Sequence, residues 1–403
     1  MGGPGTVTGN GGRPSWHEAR AIAAAAGSAP AAGSAPAAGS ALAPESVPLH
    51  AAIGRRLAAD LVTPIDLPHF ASAAMDGWLV AGDGPWTLVD HSPGRGQASP
   101  IVTGALVPAD AFAVLRSESG EVAGGTLRST VAGEPRPGHH IRRPGTEALR
   151  GERLIGAGTP LNPAHVALAA ATGADELLVA AVPSVALVLT GDEVVTSGVP
   201  APGRVRDSFA VQLPALIGML GGRVAGTARV PDRLDDTVAA LRDADAALIV
   251  TTGGTGTSSA DHLRDALRTL GARLLVDGVA MRPGGPTRIA ELPDGRLVAA
   301  LPGNPLAAMV SAITLVEPLL AGLAGRPPEP VRTVRGATAE GRAGSTVLVP
   351  YTEIDGRAQV AAWRGAAMMR GLAGASGILV VPPEGVRDGE DAESVPVPWR
   401  VVA

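Results

Sequence analysis

Between residues 183 and 326, short, largely apolar runs alternate with segments whose apolar positions recur at helical spacing. Residues 185–190, 223–230, 246–251, 273–279 and 297–300 read as strands, and 207–220, 232–242, 261–270 and 304–323 read as helices. Apolar runs of that length suit strands covered on both faces. Their alternation with helices predicts an α/β core, a parallel sheet with helices on both faces. Asp207 is placed to cap the first of these helices.

The flanking segments carry a different pattern. Ser15 and Glu18 have capping-box spacing and start a helix running to about residue 26. The Gly-Ser-Ala-Pro-Ala-Ala repeat that follows lacks any apolar period and reads as a linker over 27–46. Residues 51–61 read as a short helix, and Asn162 with Pro163 opens another over 161–173. Runs such as Trp78-Leu79-Val80 and Ala113-Val114-Leu115 lie between Gly and Pro turns, the mark of a small β-rich domain. The expected domains are a disordered tail over 1–13, a helical and extended domain from 14–65 and 141–182, and a β-rich domain over 66–140. The α/β domain over 183–326 and a β-rich C-terminal domain over 327–403 complete the chain.

Composition narrows the chemistry. Aromatic residues make up 2% of the chain against 45% hydrophobic, so the cores are packed from Ala, Val and Leu. All 33 basic residues are Arg. A net charge of −5 argues against a nucleic-acid partner. With no cysteine, disulfides and thiolate metal sites are excluded. No apolar run approaches the roughly 20 residues of a bilayer span, and no signal-peptide layout is seen, so a cytoplasmic protein without a membrane partner is expected.

Two loops stand out. Thr251-Thr252-Gly253-Gly254-Thr255-Gly256-Thr257-Ser258-Ser259-Ala260-Asp261 follows one strand, and Leu301-Pro302-Gly303-Asn304-Pro305 follows another. A glycine-rich strand-to-helix turn presents backbone N–H groups to an anion. Two such turns suggest one pocket built from two strand ends. Thr190-Gly191-Asp192-Glu193 also follows a strand, which puts its carboxylates at the same sheet end. Asp232 and Asp261 suit helix caps, and a cap carboxylate at a loop mouth also suits a metal ion. A dinucleotide-binding reading is open as well, with Asp277 as the ribose acid. It lacks the third glycine, since Ser259 stands there.

These turns, with 54–60, 64–68, Ser72-Ala73-Ala74-Met75-Asp76-Gly77, 101–105 and Ile141-Arg142-Arg143, resemble the molybdopterin molybdotransferase family of MoeA and the gephyrin E domain. The resemblance runs from about residue 15 to residue 325. It implies an elongated multidomain homodimer with a molybdopterin-binding α/β core. It implies insertion of molybdenum from molybdate into adenylylated molybdopterin, with Mg²⁺ present and AMP released. Molybdoenzymes or other proteins of the cofactor pathway are the partners it suggests. By the same resemblance Thr190, Gly191, Thr252, Gly253, Gly254, Thr255 and Gly256 hold the phosphate end of the pterin. Pro302, Gly303, Asn304 and Pro305 shape the pterin wall, supported by Thr103. Asp76, Glu193, Asp232, Asp261 and Arg282 are the catalytic set, with Glu193, Asp232 and Asp261 as metal ligands.

The chain departs from the family at particular places. The family's two lysines beside a Pro-Gly step fall at Arg282 and Gly285, and its C-terminal arginine and serine at Tyr351 and Ala366. An oxyanion needs cationic or N–H donors, so these departures predict weaker molybdate capture. They motivate an alternative, a molybdopterin carrier without metal insertion. A second alternative is a molybdopterin adenylyltransferase, which the flanking domains disfavour.

Overall fold

The computed structural model describes residues 12–28, 42–109, 111–253, 262–336 and 338–399. They form two compact units: residues 44–180, and residues 181–403 with the N-terminal segment to 43.

In the larger unit the α/β sheet has six strands, in the order Arg223–Arg229, Ser184–Leu189, Leu248–Thr252, Leu297–Leu301, Arg288–Glu291, Arg273–Asp277. The first four are mutually parallel, as the alternation predicts. Arg288–Glu291 runs antiparallel to both its neighbours, Leu297–Leu301 and Arg273–Asp277, so this one strand makes the sheet mixed. Residues 288–291 were not foreseen as a strand, being short and bracketed by Pro and Gly. Alternate strand residues face opposite layers. Val185, Leu187, Leu189, Leu248 and Val250 pack with the helix Phe209–Met219 and with Pro305–Leu323. Val188, Ile249, Val298 and Ala300 pack with Leu234–Asp243 and His262–Thr269.

The N-terminal helix Trp16–Ser28 belongs to this unit rather than with residues 141–182 as expected. Ser15 N donates to Glu18 Oε2 at 2.8 Å, and Glu18 N donates to Ser15 Oγ at 3.3 Å. Trp16, Ala19 and Ala23 sit in the core of the α/β layer. The expected linker starts too early, because Gly27 and Ser28 are helical. A Cβ on Gly27 would lie 2.3 Å from the Leu319 carbonyl oxygen, and one on Gly322 would lie 2.6 Å from that of Ala24. The two helices therefore cross backbone to backbone.

Pro305–Leu323 corrects the expectation that no segment matches a bilayer span. It has 19 residues and a mean hydropathy of 1.9, long and apolar enough by length and composition. Its whole surface is covered by protein, so it is a core helix. A π turn, Ala312–Val316, interrupts it. Such a turn shifts the backbone hydrogen-bond ladder and frees a carbonyl. Here the Thr314 oxygen accepts from Arg20 Nη1 at 2.9 Å. Buried Glu317 balances that cation, with Oε2 3.6 Å from Arg20 and Oε1 2.7 Å from Arg326.

The C-terminal strands close on themselves. Thr346–Ile354 pairs with both Arg357–Val360 and Gly377–Val381, and Arg332–Arg335 and Asp391–Pro396 complete the ring. Met281–Arg282 joins it from the α/β layer by pairing with Thr346–Ile354.

In the smaller unit, six strands run in the order Ala113–Arg116, Gly77–Val80, Gln97–Ile101, Trp86–Leu88, Thr126–Ser129, Gly120–Ala123. Trp86 and Leu127 are buried at their centre. Elsewhere in this unit Glu45–Pro48, which overlaps the end of the expected linker over 27–46, pairs with Glu176–Val179, and Leu61–Val62 pairs with Arg153–Ile155. The helix expected over 51–61 is reduced to Leu49–Ala52, because Ile53 is already extended and Gly54 has φ +80°. The helix Pro163–Ala171 matches its caps: His165 N donates to Asn162 Oδ1 at 2.9 Å.

Candidate active site

The four parallel strands end on one edge of the sheet, and their exits form a cleft of about 440 Å³. Thr190, Gly191, Glu193, Asp232, Gly253, Gly303, Asn304 and Pro305 all line it. Three strand exits are tied together. Thr190 Oγ1 donates to the Thr252 carbonyl at 2.9 Å, and Gly253 N donates to the Leu301 carbonyl at 3.2 Å. Gly253 has φ +83°, and a Cβ there would stand 2.7 Å from Thr190 Oγ1. Only glycine meets both conditions. Thr252 is fully buried behind this edge, and among the described residues its hydroxyl and that of Thr251 have no hydrogen-bond partner.

Asp232 and Asp192 exchange backbone bonds: Asp192 N donates to Asp232 Oδ2 at 3.2 Å, and Asp232 N to Asp192 Oδ1 at 3.4 Å. The pair fixes the Asp232 loop against the Thr190 loop. Asp207 also lines the cleft, and its Oδ1 accepts from Phe209 N at 2.9 Å and Ala210 N at 3.0 Å. Its other oxygen pairs with Arg229. Asp207 therefore does cap its helix, and is occupied in doing so. Among the described residues no three acidic or imidazole side chains are grouped to enclose a metal ion. Gly254, Thr255, Gly256 and Asp261 lie outside the described residues.

A second cleft, about 1030 Å³, adjoins the first. Pro302, Asn304 and Ala307 line it, so the Asn304 turn forms a wall of both. The side chain of Asn304 makes no cap bond to the helix that Pro305 begins. Arg282 reaches this second cleft, as do Arg13, Arg342 and Arg364, with Glu340 as the one carboxylate among the described lining residues. Sequence reasoning missed Arg13, Arg342 and Arg364. Arg342 had a signal, the Gly341-Arg342-Ala343-Gly344 turn; Arg13 and Arg364 had none. Tyr351 is not part of the cleft. It is buried in the C-terminal sheet, its hydroxyl 2.8 Å from Ser394 Oγ. Ala366 does line the cleft.

In the smaller unit, Asp76 and Thr103 are brought together. Asp76 Oδ1 accepts from both Thr103 N and Thr103 Oγ1 at 2.7 Å. The backbone bond, followed by the hydroxyl, holds this carboxyl below its usual range. The ribose-acid reading of Asp277 finds no support: it pairs with Arg264 and accepts from Arg288 Nε at 3.0 Å.

Comparison with known proteins bears on the family and the fold. Residues 15–173 match the profile of the MoeA N-terminal region (domains I and II), and residues 186–322 match that of the "probable molybdopterin binding domain". A molybdopterin molybdenumtransferase 2 from Mycobacterium tuberculosis is 32% identical over 321 residues, covering 73% of this chain and 78% of its own. The molybdopterin molybdenumtransferase of Synechococcus elongatus is 33% identical over 308 residues, covering 69% and 75%. The crystal structure of the MoeA molybdopterin biosynthesis protein of Pyrococcus horikoshii shares the fold. Its TM-score is 0.74 at 24% identity, over 96% of this chain and 99% of that one.

Proposed function

The chain belongs to the MoeA family of molybdopterin molybdenumtransferases, enzymes of molybdenum cofactor biosynthesis, and from that premise we propose that it transfers molybdenum from molybdate to adenylylated molybdopterin and releases AMP. The observation that carries this reading is the shared wall at Asn304. On one side lies a cleft lined by the strand-end turns and by Glu193, Asp207 and Asp232, with Arg229 held by Asp207, and on the other a cleft with four arginines. A substrate carrying phosphates and a pterin suits the first. A tetrahedral oxyanion suits the second, because guanidinium groups bind such ions through charge-assisted hydrogen bonds.

In this reading Thr190, Gly191, Gly253, Gly254, Thr255 and Gly256 hold the phosphate end, with Thr252 buried behind them and out of reach of the substrate, and Pro302–Pro305 orients the pterin. Arg282 draws molybdate to the adjoining cleft. Asp76, clasped by Thr103, serves as a further substrate-facing carboxylate. Glu193 and Asp232, joined by Asp261, would hold Mg²⁺. Two carboxylates plus substrate phosphates are an ordinary ligand set for that ion, and Glu193 and Asp232 line the same cleft. Bound there, Mg²⁺ would neutralise charge at the phosphoanhydride whose cleavage frees AMP. We place the protein in the cytoplasm as a homodimer that hands its product to molybdoenzymes or to other proteins of the pathway.

Purified protein given adenylylated molybdopterin, molybdate and Mg²⁺ is expected to release AMP. Pterin binding without AMP at saturating molybdate would overturn the reading in favour of a carrier.

A further inference from the structure

Gly285 stands where the family resemblance places a lysine, and the chain has no lysine to offer anywhere. The space beside it is nevertheless cationic. A Cβ built on Gly285 would lie 3.6 Å from Nη1 of Arg13. That guanidinium comes from a segment more than 250 residues away in sequence, yet its position is fixed by the fold. Ala280 N donates to the Pro14 carbonyl at 2.8 Å, and Ser15 bridges to Ala280 in parallel. The next residue, Trp16, is fully buried and begins the helix that crosses Pro305–Leu323 at Gly27 and Gly322. Arg13 is thus the last residue before a rigid anchor, and it is directed along the 278–285 turn. Its side chain passes over Gly278, where a Cβ would come within 2.7 Å of Nε. Among the described residues its side chain has no ion-pair or hydrogen-bond partner, and neither have the side chains of Arg282, Arg342 and Arg364.

We propose that Arg13 supplies, from the N-terminal segment, the cation that position 285 lacks, and that it binds the tetrahedral oxyanion together with Arg282. The physical case is electrostatic. Unpaired guanidinium groups sharing one cleft repel each other, and a doubly charged oxyanion relieves that repulsion while accepting their N–H donors. The proposal rests on reading this cleft as the molybdate site. It replaces the expectation that loss of charge at position 285 leaves the oxyanion end thinned.

The test is titration of molybdate into the intact apoprotein, followed by calorimetry, with no pterin present. Arg13→Ala is expected to weaken binding about tenfold or more, which corresponds to about 1.4 kcal/mol per decade. Arg13→Lys should stay within about threefold of the parent, since it keeps the charge but not the fork. Combining Arg13→Ala with Gly285→Lys should recover affinity. Gly285 is not in the left-handed region, and its Cβ would have nearest contacts of 3.0 and 3.4 Å to the Met281 and Val279 carbonyls. A small backbone adjustment accommodates that side chain. Unchanged molybdate binding in Arg13→Ala overturns the assignment of Arg13 alone. So does a loss that lysine at 285 fails to recover, which would make Arg13 merely structural. A parent protein that binds no molybdate overturns the reading of the cleft itself.

Discussion

Asp76 shows how one residue's chemistry is set by its immediate donors. Both donors come from Thr103, and the backbone N–H contributes more than the hydroxyl to holding the carboxyl low. Folding therefore favours the ionised form. The stability this provides is complete above the unfolded pKa of about 3.9, and is lost as pH falls through the lower folded value. Carbon-13 NMR titration should find Asp76 ionising below the ordinary aspartate range. Thr103→Val removes only the smaller cause, so the midpoint should rise partway and stop short of the ordinary value. A full return would mean the backbone bond does nothing. At the same scale, Gly253 was legible in the sequence because a strand-to-helix turn needs glycine for its positive φ. Arg13 was not legible, because a side chain that borrows its neighbours from the distant 278–285 turn leaves no local pattern.

Among the elements, the crossing of Trp16–Ser28 over Pro305–Leu323 opposes two rules. By intrinsic propensity, replacing glycine with alanine inside a helix gains up to about 1 kcal/mol. At Gly27 the new Cβ would fall 2.3 Å from a backbone oxygen of the other helix. Overpacking of that kind typically costs about 1–3 kcal/mol, and the oxygen cannot move without its helix. Gly27→Ala is therefore expected to destabilise despite the better helix former, read as a lower urea midpoint at unchanged slope. A raised midpoint would show that the helices do not meet at this point. The same contact explains an error of reading. Gly27 begins a Gly-Ser-Ala-Pro repeat, and by composition it reads as linker; only the partner helix makes it an interface residue. The mixed sheet has a similar cause. Alternation of strand and helix predicts parallel pairing, but Arg273–Asp277, Arg288–Glu291 and Leu297–Leu301 succeed one another without a helix, so they pair antiparallel.

At the scale of the whole α/β unit, the carboxylate cleft and the arginine cleft are neighbours that share Asn304 but draw their charged groups from different segments. Asp232 comes from the exit of Arg223–Arg229, and Arg282 from the strand that joins the C-terminal sheet. Much of this was readable in advance, because ligand sites of open α/β sheets gather at strand exits, and the Thr190, Asp232, Gly253 and Asn304 turns all follow strands. The arginine cleft was less readable, since it needs the C-terminal ring and the N-terminal segment to meet the 279–286 turn. The separation has a kinetic consequence. Asp232→Asn should lower AMP release while leaving molybdate affinity near the parent value. Arg282→Ala should raise the molybdate concentration needed for half-maximal AMP release while leaving pterin binding intact. If the clefts act independently, the two effects should add within about 0.3–0.5 kcal/mol in a double-mutant cycle, as unconnected sites do. Asn304→Ala alters the wall common to both. Combined with either variant it should show coupling of about 0.5 kcal/mol or more. Strong coupling between Asp232 and Arg282 themselves would mean that one site, rather than two joined at Asn304, carries the reaction.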